Sequence, residues 1–271
     1  MNTLGYVCCR MREENGCPPQ KTGYEGIGRF YDLFADNSDI PFFLKSAKKF
    51  GSPILDLAAG TGRISFALAQ EGHEVVALER SPSMLEVARL KLESVNPSIA
   101  SNVTIIEGDM TQFSLGQKFP LILIPNSIGH AITTEEQLST LQCVHNHLTD
   151  NGIFILDVYP GAIQHEHAKF EENPVSLPNG TSVERHGKIH SDMLHQIMRV
   201  DLKYIVRDEH QNIVEEVNVE SSAALLFDRE VDILIRLSGF EVEKELGGFD
   251  DSPYSPESTR RILILKKSNE K

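Results

Sequence analysis

Between residues 54 and 158 the chain alternates two hydrophobic rhythms: short, nearly continuous apolar runs, and stretches whose apolar residues recur three and four apart. The first is the mark of a strand buried on both faces, the second of an amphipathic helix. Ile54-Leu55-Asp56-Leu57-Ala58 predicts a first strand. Residues 62–71 then place Ile64, Ala67 and Leu68 on one helical face, and Gly72 sits where a glycine ends a helix. Residues 73–79 predict a second strand. Ser81-Pro82 supplies an N-cap and a first-turn proline ahead of a face made by Leu85, Ala88 and Leu92. Residues 103–106 and 119–124 predict two more strands. Thr134 to Gln137 fits a capping box in front of Leu138, Leu141, Val144 and Leu148, and residues 152–158 predict a fifth strand.

Strands that alternate with helices imply an α/β fold, a doubly wound and mostly parallel sheet with right-handed crossovers. The rhythm changes after residue 160. Met198, Val200, Leu202, Tyr204 and Val206 alternate with the charged Arg199, Asp201 and Lys203, the period-two pattern of a half-buried antiparallel strand. Residues 213–219 read as its partner. Residues 228–237 return to helical spacing, and 240–246 and 261–265 complete the main sheet. The expected organisation is a leader over 1–20, a helical cap over 21–50, a core over 51–160 and 223–271, and an antiparallel insertion over 161–222 acting as a lid or a dimer interface.

Bulk properties narrow the function. The 271 residues carry a net charge of −13, which argues against a general binder of nucleic-acid backbones. No run reaches the ~18 apolar residues of a membrane span, and the N-terminal stretch lacks a signal-type apolar core, so a cytoplasmic protein without membrane attachment is expected. Cys8, Cys9, Cys17 and Cys143 do not follow a zinc spacing and read as reduced thiols. His165 and His167 read as loop histidines, and no metal is expected.

The chemistry concentrates where the first strand meets its helix. In Gly60-Thr61-Gly62 the missing Cβ atoms let a ligand approach the backbone, at a helix N-terminus that favours an anion or dipole. Glu79 ends the second strand, so its carboxylate is expected beside the same ligand, where it accepts ribose hydroxyls. A dinucleotide fingerprint would need a third glycine where Ser65 stands, which speaks against a dehydrogenase. Asp56, four residues before Gly60, suits a ligand with positive charge.

"LDLAAGTGR", "VVALERSPSMLEVAR", "VTIIEGDM" and "NGIFILDV", in this order, resemble the successive motifs of class I S-adenosylmethionine-dependent methyltransferases. The resemblance covers residues 50–160, and residues 228–266 are similar to that family's last helix and two strands. It implies a seven-stranded Rossmann-like sheet and S-adenosyl-L-methionine as cofactor. On this resemblance Gly60 and Gly62 approach the methionine moiety, with Ala58 standing for the loop's first glycine at little cost. Asp56 orients the loop or meets the ammonium. Glu79 takes the ribose, Arg80 and Met84 cover the adenine, Asp109 accepts from its amino group, and Met110 packs on the ring. Tyr24, Arg29 and Tyr31 belong to a segment that folds over the cofactor in such proteins, and packing of Phe30, Leu33 and Phe34 is the alternative reading there.

The acceptor is expected past the fourth strand, at Pro125-Asn126-Ser127, with Asn126 against the cofactor. This is not the Asn-Pro-Pro-Tyr type of enzymes that methylate nucleobase or protein amides. "NSIGHAITTEEQL" is instead similar to small-molecule enzymes, glycine and sarcosine N-methyltransferases among them. His130 is the one evident base near the acceptor, or else a loop residue that packs the cofactor. The expected function is methyl transfer to nitrogen or oxygen of a small molecule, with a possible homodimer. A non-catalytic cofactor-binding protein and a methyltransferase for a macromolecule are the rivals.

Overall fold

The computed structural model describes residues 23–160 and 167–268. The leader with Cys8, Cys9 and Cys17, together with His165 and the His167 side chain, lies outside the described residues.

In chain order the elements are α1 (Gly28–Tyr31), α2 (Ile40–Phe50), β1 (Ile54–Leu57), α3 (Arg63–Gln70), β2 (Val75–Glu79), α4 (Pro82–Ser94), α5 (Pro97–Ala100), β3 (Val103–Glu107), β4 (Phe119–Ile124), α6 (Thr134–His147) and β5 (Leu148–Val158). Four long strands follow, β6 (His167–Ser176), β7 (Ser182–Asp192), β8 (Ile197–Arg207) and β9 (Ile213–Ala224). Helix α7 (Asp228–Leu237) and strands β10 (Phe240–Leu246) and β11 (Arg261–Lys267) end the described chain.

The main sheet has seven strands in the order β10-β11-β5-β4-β1-β2-β3. β1 pairs in parallel with β2 on one side and β4 on the other, while β11 runs antiparallel to β5. The strand order therefore reverses beside β1, and the loops leaving β1 and β4 part to opposite faces. That is where an open α/β sheet forms its ligand crevice.

The near-continuous apolar runs are buried on both faces because successive side chains point to opposite sides. Leu55, Leu57, Ile122, Ile124, Phe154 and Leu156 pack against Leu141, Val144, Val231 and Leu234 of α6 and α7. Ile54, Leu121, Leu123 and Ile155 pack against Phe42, Phe43, Ile64 and Leu68 of α2 and α3. Each such side chain contributes about 1.5–3 kcal/mol on full burial.

Strands β6, β7, β8 and β9 form a separate antiparallel sheet. The inward stripe of β8 is the one its alternation predicts: Val200, Leu202, Tyr204 and Val206 join Ile27, Phe30 and Met84 in a third cluster. Phe30 stacks on Tyr204 with ring centroids 5.2 Å apart, so this sheet is docked on the segment before β1. Such a stacked pair is worth about 0.5–1.5 kcal/mol beyond its burial.

Three local expectations change. β6 and most of β7 stand where the sequence carries mixed polar residues without alternation; β6 is held by backbone pairing to β7, and β7 by pairing to β8, with only Phe170, Val183 and Ile189 reaching the third cluster. The capping box lies one residue earlier than expected, with the Thr133 hydroxyl accepting from the Glu136 amide and the Glu136 carboxylate accepting from the Thr133 amide. β5 begins at Leu148, directly after α6, so that Gly152 falls inside a strand.

Candidate active site

Two loops shape the floor of the site. The β1–α3 loop carries Ala58, Gly60 and Gly62 at φ values of 53°, 61° and 77°. At Gly60 a Cβ would point into open space, whereas at Gly62 it would meet the Phe66 ring at 2.8 Å. Ala58 keeps its Cβ in the left-handed region, at a cost of about 1–2 kcal/mol, so replacing the loop's first glycine is not as cheap as the sequence suggests. Asn126, after β4, is also left-handed, at φ 45°. Left-handed non-glycine residues on both sides of one crevice are the kind of strain that clusters at binding sites.

Glu79 projects from the end of β2 into this floor. One carboxylate oxygen accepts from the Gly60 amide at 2.8 Å, and the other accepts from the amides of Arg80 and Ser81 at 2.9 and 2.8 Å. The side chain is 8% exposed and lines the cavity, so lone pairs remain for a ligand.

Of the two positions expected for Asp56, the geometry fits the one beneath the loop and not the one beside a ligand's ammonium. Asp56 points with Ile54 toward α3, does not line the cavity, and accepts from the Ser65 hydroxyl at 2.6 Å. Ser65, which breaks the dinucleotide fingerprint, is thus the buried partner of the loop's own acid. Its second oxygen has no partner among the described residues, and burial pushes the Asp56 carboxyl up to about 7. A carboxyl in that state braces the loop from beneath and does not reach a ligand's ammonium directly.

Above the floor lies a cavity of about 880 Å³. One wall holds Glu79, Arg80, Met84 and Met110. Arg80 and Asp109 meet at 3.2 Å across its rim. The Asp109 carboxylate is turned away from the cavity into the Thr111 amide at 2.8 Å; burial raises its pKa, but the Thr111 and Arg80 hydrogen bonds prevail and hold it below the ordinary range. Gly62 likewise shapes the loop without lining the cavity.

The segment before β1 closes the cavity, and Tyr24 and Tyr31 line it. Arg29 does not: its guanidinium lies over the Phe30 ring at 4.4 Å and pairs with Glu215 of β9. Two ties that sequence reasoning missed hold the segment down. Glu25 accepts from the Ser81 hydroxyl and the Ser83 amide at the start of α4. The Thr61 hydroxyl donates to Asp32 at 2.6 Å, Lys91 pairs with Asp32 at 2.6 Å, and Lys91 also donates to the Thr61 carbonyl at 2.9 Å. Two half-buried bidentate pairs, Arg63–Asp39 at 2.5 and 2.6 Å and Arg260–Asp157 at 3.1 and 2.6 Å, add a polar end to the cavity. Nothing in the local sequence marks these partners, because each pair joins distant elements.

His130 lines the cavity past β4, with the Tyr24 ring edge-on at 5.7 Å. Burial, helped by the Arg80 charge, holds its pKa below the ordinary value against an opposing hydrogen bond to the Ser222 backbone. The ring is therefore neutral near pH 7, and its Nδ1 has no partner among the described residues. Asn126 lines the cavity beside it. No cluster of three or more metal-ligating side chains occurs among the described residues.

Residues 54–152 match a family model described as a methyltransferase domain. Over 132 residues the chain is 32% identical to a dTDP-3-amino-3,4,6-trideoxy-alpha-D-glucopyranose N,N-dimethyltransferase of Streptomyces venezuelae, a match covering 48% of this chain and 52% of that protein. It is 27% identical to a dTDP-3-amino-3,6-dideoxy-alpha-D-glucopyranose N,N-dimethyltransferase of Streptomyces fradiae over 83% of each chain. Among solved structures, an amino pentose methyltransferase from Micromonospora echinaspora, described with S-adenosylmethionine bound, superposes with a TM-score of 0.69 at 18% identity, covering 92% of this chain and 99% of that one. That last likeness concerns the fold.

Proposed function

We propose that the protein, whose residues 54–152 match a methyltransferase domain model and whose main sheet has the strand order β10-β11-β5-β4-β1-β2-β3, transfers a methyl group from S-adenosyl-L-methionine to a nitrogen of a small molecule. The observation that carries the reading is the meeting of the Glu79 carboxylate with the Gly60 amide at the rim of the 880 Å³ cavity. The residues fit the cofactor. An open loop backbone, a carboxylate with free lone pairs, two methionines and a polar end supply what a nucleoside with an amino acid tail requires. The likeness to enzymes named for amino sugar N-methylation supports nitrogen over oxygen.

When bound, the cofactor supplies a methyl group on a sulfonium, which a lone pair displaces in line with loss of a neutral thioether. The protein's part is alignment and dryness. In this reading Glu79 accepts hydrogen bonds from the ribose hydroxyls, and Met84 and Met110 flank the adenine with Arg80 at its edge. Tyr31 and the Arg63–Asp39 pair face the amino acid end. Neutral His130 accepts a proton from the incoming ammonium or holds the amine, and the edge-on Tyr24 ring fixes its plane. The β6–β9 sheet roofs the acceptor chamber and excludes water.

The reading extends to a cytoplasmic protein and to a homodimer, which light scattering tests. Among the described residues no helix is long and apolar enough to cross a membrane. The decisive experiment is calorimetry with S-adenosylmethionine and S-adenosylhomocysteine, followed by mass spectrometry of amines incubated with the former. Absence of binding at millimolar cofactor would overturn the reading.

A further inference from the structure

The roof of the cavity is apolar where β6, β7 and β8 face it, through Phe170, Ile189, Met198, Val200 and Leu202. Arg185 and Tyr204 interrupt that surface, standing opposite each other in the β7–β8 register. Arg185 is held flat over the Phe34 ring at 4.8 Å, and one terminal nitrogen pairs with Glu172 on β6. Its Nε has no partner among the described residues. Tyr204 is fully buried, and its hydroxyl stands close beside the guanidinium without a well-aligned hydrogen bond to it or to any other described residue.

A buried donor left unpaired costs about 1–3 kcal/mol. Two such groups side by side, both in the lining of one cavity, are a site shaped for an oxygen that accepts from both. Glu172 leaves that role open, since it occupies only one arm of the guanidinium. The cavity runs from this pair past Tyr24, which stands in the field of Arg185, to His130.

Resting on the reading of the site as a small-molecule N-methyltransferase, we infer that the methyl acceptor carries an anionic oxygen group, a carboxylate or a phosphate, which Arg185 and Tyr204 hold while its amine lies at His130. The body between the two ends is apolar enough to lie along Ile189 and Leu202. Acceptors lacking the anionic group then bind poorly, because the donor pair stays unsatisfied.

The test is calorimetric titration of the protein–S-adenosylhomocysteine complex with glutarate and with inorganic pyrophosphate. Binding of one of them in the millimolar range is expected, and which one binds separates carboxylate from phosphate. Arg185→Gln and Tyr204→Phe should each weaken it about tenfold or more, the factor carried by a hydrogen bond to a charged group, while keeping wild-type affinity for S-adenosylhomocysteine. Tyr204→Phe removes only a hydroxyl, so it answers the question if Arg185→Gln fails to fold. Wild-type protein that takes up neither anion, or variants that bind as wild type, would overturn the inference. A wild-type protein that fails to bind S-adenosylhomocysteine overturns the methyltransferase reading instead.

Discussion

The Glu79 carboxylate, at the end of β2, accepts a 2.8 Å hydrogen bond from the amide of Gly60 in the loop that leaves β1. Two neighbouring strands thus present an acid and an open backbone at one point. Neither group is special alone, since acids commonly end strands and glycines commonly turn. Their contact sets the carboxylate in the crevice beside β1, where the proposed reading places a ribose.

Glu79→Gln puts an amide NH₂ among three backbone N–H donors, those of Gly60, Arg80 and Ser81. At least one donor then faces another. Affinity for S-adenosylhomocysteine should drop by about 1.5–3 kcal/mol, the worth of hydrogen bonds to a charged group. Unchanged affinity by calorimetry would contradict the ribose assignment.

Gly28→Ala tests the closing segment. A Cβ there would lie 2.1 Å from the Ser83 carbonyl oxygen, which is backbone and cannot swing away. Helix α1 must lift from the start of α4, loosening the Glu25 and Tyr24 side of the cavity. Overpacking of this kind costs about 1–3 kcal/mol. Denaturant unfolding should report a loss in that range, accompanied by weaker cofactor binding; a variant with wild-type stability and affinity would mean that the segment does not seal the site.

Asp56 predicts a pH dependence. Burial raises its folded-state pKa from 3.8 to about 7. The folded protein therefore binds the proton more tightly than the unfolded chain, and the stability this confers is complete below 3.8 and lost as pH rises through about 7. Asp56→Asn, which cannot ionise, should gain stability relative to wild type as pH is raised across that window. Parallel curves of unfolding free energy against pH for the two proteins would refute the buried, protonatable carboxyl.

His130 predicts an activity profile. Its pKa is held below the ordinary value of 6.5, so the imidazole stays neutral through pH 7 and protonates only on the acid side. The ratio kcat/KM for an amine acceptor should fall in acid with an imidazole transition displaced downward. His130→Ala should lose activity on the order of 10²-fold, the lower range for a positioned base, with cofactor affinity retained. Full activity in that variant would return His130 to a packing role.

Much of this was legible in the residues themselves. Apolar runs alternating with helical spacing report the parallel sheet because strands buried on both faces tolerate few polar residues. Ser81-Pro82 caps α4 where it stands, since capping is chemistry local to one turn. The stripe from Val200 to Val206 faces inward as its period requires. Glu79 beside Gly60 was legible in part, because a carboxylate ending β2 lies one strand from the loop that leaves β1.

Other features depended on residues far apart in the chain. Arg29 follows Gly28 by one position, yet it turns to Glu215 on the inserted sheet, while Tyr31 turns into the cavity. Asp56 faces Ser65 rather than a ligand because the pleat of β1 sends it to the α3 side, and no motif states which face is wet. β6 lacks alternation and forms by pairing, a property of its neighbour as much as of itself. Arg185 and Tyr204 lie 19 positions apart in the sequence and become adjacent only through β7–β8 register. Local propensity and periodicity belong to the sequence; which side chains share a cavity is settled by strand pairing and docking, where the energy of contact between distant segments decides.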